Sequence, residues 1–305
     1  MKNTLLAGLA LALTTSFATA GGDNWMTNFE AAKKKAAAEN KDLLVDFTGS
    51  DWCGWCIKLN KEVFQHDPFK TGVADKFVLV ELDFPRDKSI ISQELKDQNE
   101  ALKNKYGVRG FPTILIMDAE GRPFAKTGYQ AGGPEKYVTH LDELRAKRVQ
   151  RDEALASASK LEGVAKAKAL VTALNTIPED YQDQYSDITS QIAKLDPKDE
   201  TGFVAKQKRK EALAVMQKEY TTAVRAGNNA DALGKVDQFI ADHNVEGKEK
   251  QELLGMKLTP LLREKNFDDA GAVVDAIIAV DPESDYSKRV ETFKTRLDAM
   301  KKAAQ

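Results

Sequence analysis

The chain has 305 residues, long for one domain and comfortable for two, because single hydrophobic cores stop growing near ~250 residues. Its composition, 42% hydrophobic and 30% charged, is that of an ordinary globular protein. A formal net charge of -2 gives no bulk attraction to nucleic acid or to anionic lipid, so neither is expected as a partner.

Residues 1–20 read as a secretory leader. Lys2 supplies the positive start, Leu5 to Leu13 the apolar run, and Ala18-Thr19-Ala20 a small-residue cleavage site, so the mature chain is expected to begin near Gly21. The apolar run falls short of the ~20 residues that cross a bilayer. No Cys follows the cleavage site to carry a lipid, and no later segment is apolar enough to span. A soluble, periplasmic or secreted protein is expected. In that setting disulfides form readily. Cys53 and Cys56 are the only cysteines, and the loop they would close is too short to restrain much chain entropy, so a structural staple is not their purpose.

Helical and strand patterns alternate from residue 25 to 148. The first helix is predicted with Trp25, Phe29, Ala32 and Ala36 on one face, ending at Lys41-Asp42. Leu43 to Phe47 is a strand-length run, apolar except for Asp46, as for a central strand covered on both faces. Beyond the cysteines, Leu59, Val63 and Phe64 continue a helix, and Phe77 to Leu82 is a second β-rich run, which makes a βαβ unit. A helix around Ile91 to Tyr106 leads to Thr113–Met117. The turn Asp118 to Gly121 then reverses the chain into Pro123–Thr127 as a hairpin. A helix from about Pro134, with Tyr137, Leu141 and Leu144 on its buried side, completes an α/β layer sandwich. After residue 150 the strand signal stops. Breaks at Ile177-Pro178, Asp196-Pro197, Gly227 to Asn229, Asn244 to Gly247 and Asp281-Pro282 divide an all-α half into six or seven helices. Ile192 to Pro197 is similar to Ile277 to Pro282, which suggests a duplicated helical unit; the 85-residue offset exceeds the ~34-residue period of tetratricopeptide repeats.

A Cys-x-x-Cys after a strand and at the start of a helix makes one thiol reactive and supplies a second to resolve it. Cys53 would sit at the helix N-terminus, where free backbone N–H groups and the macrodipole favour the thiolate; it is expected to be the exposed, attacking sulfur. Cys56, one turn further in and more buried, would attack the mixed disulfide. The competing readings are half of a zinc site, a Cu(I) site on two soft thiolates, and an accidental pair. Zinc normally takes four protein ligands, and only His66, His140 and His243 accompany the cysteines, without ligand spacing.

These residues resemble the thioredoxin-like family over about residues 25–148. Val45-Asp46-Phe47 followed by Trp52-Cys53-Gly54-Trp55-Cys56 is similar to the family's strand and active-site turn, and Gly110-Phe111-Pro112-Thr113 to its cis-proline loop. Phe47 to Trp52 resembles the exported bacterial branch related to the C-terminal domain of transmembrane reductant conductors. The resemblance implies a central mixed sheet with helices on both faces over 21–148; the all-α domain expected over 149–305 falls outside the resemblance. It implies that Asp46 is a buried carboxylate able to accept the Cys56 proton, against the alternative of a solvent-facing aspartate at a strand end. Pro112 would be cis, leaving the Phe111 backbone free to pair with a client segment, where a trans loop proline is the alternative. Gly128 would let a client backbone approach, and Trp52 and Trp55 would form an apolar rim. No cofactor beyond the redox-active Cys53–Cys56 disulfide is implied. Three features depart from the family pattern. Trp55 stands where cytoplasmic thioredoxins place proline, the turn from Asp46 to Cys53 is one residue longer, and the stretch from Cys56 to Pro112 is longer.

The function expected is an exported thiol-disulfide oxidoreductase of reductase or isomerase type, acting on protein thiols and disulfides and drawing on a membrane reductant conductor. The helical half would bind a protein partner or self-associate. The alternatives are a scaffold that docks partners through its helices and groove, and Cu(I) handling by the cysteine pair.

Overall fold

The structure, a computed structural model, describes residues 24–303; the leader expected at 1–20 lies outside the described residues. Two compact units make up the chain, Met1–Thr201 and Gly202–Gln305.

In the first unit a five-stranded sheet is built from β1 (Trp25–Met26), β2 (Asp42–Thr48), β3 (Phe77–Asp83), β4 (Thr113–Met117) and β5 (Pro123–Thr127), in the order β1-β3-β2-β4-β5. β2 runs parallel to β3 and antiparallel to β4. All seven residues of β2 and all seven of β3 are buried, as their nearly unbroken apolar runs require of strands covered on both faces. Around the sheet lie α1 (Phe29–Glu39), α2 (Gly54–Leu59), a π-helical segment (Asn60–Phe64), α3 (Asp67–Ala74), α4 (Gln93–Lys105) and α5 (Gly133–Ala158). One core face gathers Leu44, Leu59, Phe64, Phe69, Ile114 and Tyr137. Burying each such side chain is worth about 1.5–3 kcal/mol, which fixes α2, α3 and α5 against the strands.

Two local expectations need correction. Trp25 is not on the first helix: it forms β1 and pairs with Leu79, because the Asn28 side chain accepts the Ala31 N–H at 2.8 Å and starts α1 at Phe29. The second concerns the stretch after the cysteines: the helix continues through Leu59, Val63 and Phe64 as expected, widening into the π-helical segment, but it is followed by α3, which the sequence reading did not single out and which opens with Pro68 in its first turn.

α5 is 26 residues long and carries Tyr137, Leu141 and Leu144 on its buried side, as predicted. It continues through the 148/149 boundary proposed from composition. Beyond it come α6 (Gly163–Leu174), a 3-10 turn (Glu179–Gln184) and α7 (Ser186–Leu195), all within the first unit. Arg151 of α5 joins these parts, its guanidinium donating to the Asp118 carboxylate and to the Tyr185 hydroxyl, each at 2.8 Å.

The second unit is all-α: α8 (Phe203–Arg225), α9 (Asn229–Asp242), α10 (Gly247–Met256), α11 (Leu258–Arg263), α12 (Phe267–Val280) and α13 (Asp285–Ala303). The predicted breaks at Gly227 to Asn229, Asn244 to Gly247 and Asp281-Pro282 fall at the ends of its helices. The chain also divides at Lys257 and at Lys265, which takes a left-handed φ of 56°, so α6 to α13 are eight helices rather than six or seven. No helix among the described residues is long and apolar enough to cross a membrane.

Candidate active site

The turn from Thr48 to Cys53 is fastened to the end of β3. Asp83 accepts the Ser50 N–H at 2.9 Å and its hydroxyl at 2.6 Å. Asp51 accepts the backbone N–H groups of Arg86 at 2.9 Å and Asp87 at 3.0 Å, which hold its carboxyl below the usual carboxylate range. The Trp52 indole N–H donates to the Phe84 carbonyl at 2.8 Å. A Cβ on Gly49 would lie 2.6 Å from that indole, so glycine is what lets Trp52 fold over the turn.

Cys53 and Cys56 form a disulfide with their Cα atoms 5.2 Å apart. Cys53 is the N-cap of α2, its Sγ accepting the Cys56 N–H at 3.2 Å. That N–H would meet a thiolate equally well, and the N-terminal end of the helical run favours negative charge there. The expected contrast in exposure is slight in this oxidised state: Cys53 is 6% exposed and Cys56 4%. Position separates them instead, one at the cap and the other facing the interior.

Aromatic rings flank the disulfide on two sides. Trp52, 38% exposed, meets Phe111 edge-on at 5.8 Å, and Phe111 packs on Phe84 at 5.1 Å, bringing the 110–113 loop against the cysteine turn. The Phe111–Pro112 bond is cis. Trp55, 58% exposed, packs on Tyr129 at 5.2 Å; the Lys58 ammonium lies 5.2 Å from the Trp55 ring and 4.9 Å from that of Tyr129. The Tyr129 hydroxyl donates to Glu62 at 2.6 Å. At Gly128 a Cβ would come 3.2 Å from the Pro112 carbonyl, so a side chain there would crowd the loop.

Behind Cys56 a cleft of about 320 Å³ is lined by Cys56, Asp46, Glu81, Asn60 and Lys61 among others. Asp46 does not face solvent: it is 5% exposed, and its Oδ1 has no hydrogen-bond partner among the described residues. Burial pushes its pKa well above the usual carboxylate range, and the charges of Glu81 and Asp83 push it further. A carboxyl with raised proton affinity thus shares a cleft with the inner sulfur. The geometry suits proton transfer between them, directly or through water.

The eight residues singled out from sequence fall into two groups. Cys53 and Cys56 form the disulfide, with Trp52 and Trp55 beside them in the chain, Phe111 packed on Trp52, and Pro112 and Gly128 in contact with one another, whereas Asp46 lines the cleft with Cys56. The histidines settle elsewhere: His66 on the Lys61 carbonyl, His140 on the Thr127 hydroxyl, His243 against Phe239. Glu81, Lys58, Phe84 and Tyr129 were missed. Only Glu81 left a signal, a single charge inside the apolar run Phe77 to Leu82, the same anomaly that drew notice to Asp46.

A mixed sheet with a Cys-x-x-Cys disulfide capping the helix after its central strand, and a cis-proline loop beside it, defines the thioredoxin class of redox proteins. A family model described as a thioredoxin-like domain matches residues 29–145. The disulfide bond reductase DsbH of Chlamydia pneumoniae is 37% identical over 114 residues, 37% of this chain and 68% of that protein. The thioredoxin-related protein DsbJ of the same organism is 32% identical over 127 residues, 41% of this chain and 36% of that protein. A solved structure titled DsbH Oxidoreductase covers 47% of this chain and 94% of its own, at 29% identity and a TM-score of 0.38. The chain belongs to the thioredoxin-like family.

Proposed function

We propose that the chain is an exported protein-disulfide oxidoreductase that reduces or isomerises disulfides in other proteins. The observation that carries this is the disulfide itself: Cys53 at the cap of α2, Cys56 turned toward the cleft that holds Asp46. In the reducing direction the Cys53 thiolate attacks one sulfur of a client disulfide, and the other client sulfur leaves with the electron pair and takes a proton. Cys56 then gives its proton to Asp46 and attacks Cys53. The Cys53–client bond breaks, the second client sulfur leaves and is protonated, and Cys53–Cys56 is restored. Two electrons and two protons pass to the client.

The leader at 1–20 supports export, and similarity to a disulfide bond reductase supports the reducing direction. Trp52, Trp55, Phe111, Pro112 and Gly128 are assigned to the client groove, where an extended segment would lie along the loop and between the exposed indoles. Restoration of the dithiol is assigned to a transmembrane reductant conductor, from the resemblance of Phe47 to Trp52 to that branch. The test is trapping. Cys56→Ala should accumulate mixed disulfides between Cys53 and extracytoplasmic proteins, and the wild type should speed insulin reduction by dithiothreitol. A folded protein that does neither is no oxidoreductase, and a measured potential near ~-120 mV rather than ~-270 mV would reverse the direction.

A further inference from the structure

Asp46 and Glu81 are register partners on the parallel strands β2 and β3. Partners on neighbouring parallel strands direct their side chains to the same face, and both carboxylates line the cleft shared with Cys56. Each residue is 5% exposed. The other charged or titratable groups nearby come from several elements. Asp83, two residues along β3, is held by Ser50. Lys61 of the π-helical segment is exposed and lines the cleft. Tyr137 of α5 is a phenol whose proton is held more firmly through burial and the charge of Asp46. From β4 the register partner of Asp46 is the apolar Ile114. The Glu81 charge raises the proton affinity of Asp46, and two carboxyl groups so coupled on register partners in one cleft lose their protons in steps that belong to the pair.

We propose that Glu81 is a positioning residue for the Cys56 proton: facing Asp46 across the sheet, it makes the two buried carboxyl groups share one proton, and this shared site is the base. The proposal rests on Asp46 taking the Cys56 proton, as set out above. The Cys56 S–H bond breaks and its proton goes to the doubly ionised pair, which becomes singly protonated. The freed sulfur pair forms the bond to Cys53 Sγ, the Cys53–client S–S bond breaks, and the client sulfur leaves with that bond's electrons and takes a proton from the pair or from water. The second carboxylate charge is what gives the pair a stronger hold on the proton than Asp46 has alone.

The experiment loads Cys53 of the full-length protein with a chromophoric aromatic thiol and follows its release by Cys56 from about pH 5 to pH 9. Release should rise with pH through the upper titration of the pair. Glu81→Gln, similar in shape and uncharged, should move that limb toward acid by roughly one to two pH units, and Glu81→Lys at least as far. In the reduced wild type, carboxyl NMR titration should show Asp46 and Glu81 each responding to both steps. The proposal is overturned if Glu81→Gln leaves the limb in place while Asp46→Asn abolishes it, or if the two carboxyls titrate independently. A limb untouched by Asp46→Asn would instead remove the base role of Asp46, and this inference with it.

Discussion

β2 carries two buried aspartates four positions apart, and their surroundings give them opposite roles. Asp42 is fully buried and clamped by Arg145 at 2.7 Å and by Arg148. Among the described residues no guanidinium pairs with Asp46, and its Oδ1 has no hydrogen-bond partner. An arrangement that costs stability at Asp46 but suits proton transfer is what the proposed base role requires. Because the folded state raises its pKa, the native protein binds that proton more tightly than the unfolded chain. Its contribution is therefore fully favourable only below the unfolded value of ~3.9 and is lost as pH rises through the folded value. Asp46→Asn, which removes the ionisable group and keeps its shape, should accordingly stabilise the protein at neutral pH, because only the charged form carries the desolvation cost and the repulsion from Glu81 and Asp83. In urea unfolding the advantage should shrink on acidification; an advantage that grows toward low pH would contradict the burial argument. Trp55→Ala tests the rim. More than half of the side chain already meets water, so stability should change by no more than about 0.5 kcal/mol. Yet kcat/KM for a protein disulfide should fall about tenfold or more if the indole anchors clients.

At the scale of elements, α5 holds the sheet at both ends of β2's neighbourhood: Tyr137 below the cleft, where its hydroxyl donates to the Gly128 carbonyl at 3.1 Å, and the arginine clamp at Asp42. Asp42→Ala would leave two guanidinium groups facing a buried void. Since both reach solvent, the cost should lie near the lower end for a broken buried pair, about 3 kcal/mol by denaturant titration. An unchanged midpoint would mean that α5 docks by its apolar face alone. The sequence made the sheet legible because strands covered on both faces read as apolar runs of strand length, and their order followed from the βαβ and hairpin signals. It misplaced Trp25 because an apolar residue four positions before Phe29 fits a helical stripe as well as it fits a two-residue edge strand; only the Asn28 cap separates the two. It passed over α3, where Pro68 and Gly72 weaken the helical pattern. At the site, the cysteines, Asp46 and the loop proline are local motifs and could be read. Glu81 and Tyr129 become site residues only when β3 and the 127–130 turn are brought alongside, a relation that no spacing along the chain encodes.

For the whole molecule, composition places a boundary at 148/149, where the sandwich pattern ends, while compactness divides the chain at 201/202. The two cuts differ in what they sever. A chain ending at Thr201 keeps Arg151 with Asp118 and Tyr185, and it is expected to hold the potential and melting transition of the redox unit in the full-length protein. A chain ending at Arg148 removes Arg151 and Tyr185, leaves the Asp118 carboxyl to Arg122 alone at 2.9 Å, and should show a lower denaturation midpoint. Equal stability for both would favour the earlier boundary.

The central place of β2 has a consequence for proton traffic. Its backbone is laddered on both edges, by β3 and by β4, so local fluctuations do not open it. Amides of residues 43–47 should exchange with deuterium only through global unfolding. Yet the proposed mechanism asks the carboxyl of Asp46, on that same strand, to trade its proton in every turnover. On that proposal the sheet closes off the main chain while the cleft behind Cys56 leaves one side chain open to exchange, and a plug of that cleft would stop the second chemical step without loosening a single strand.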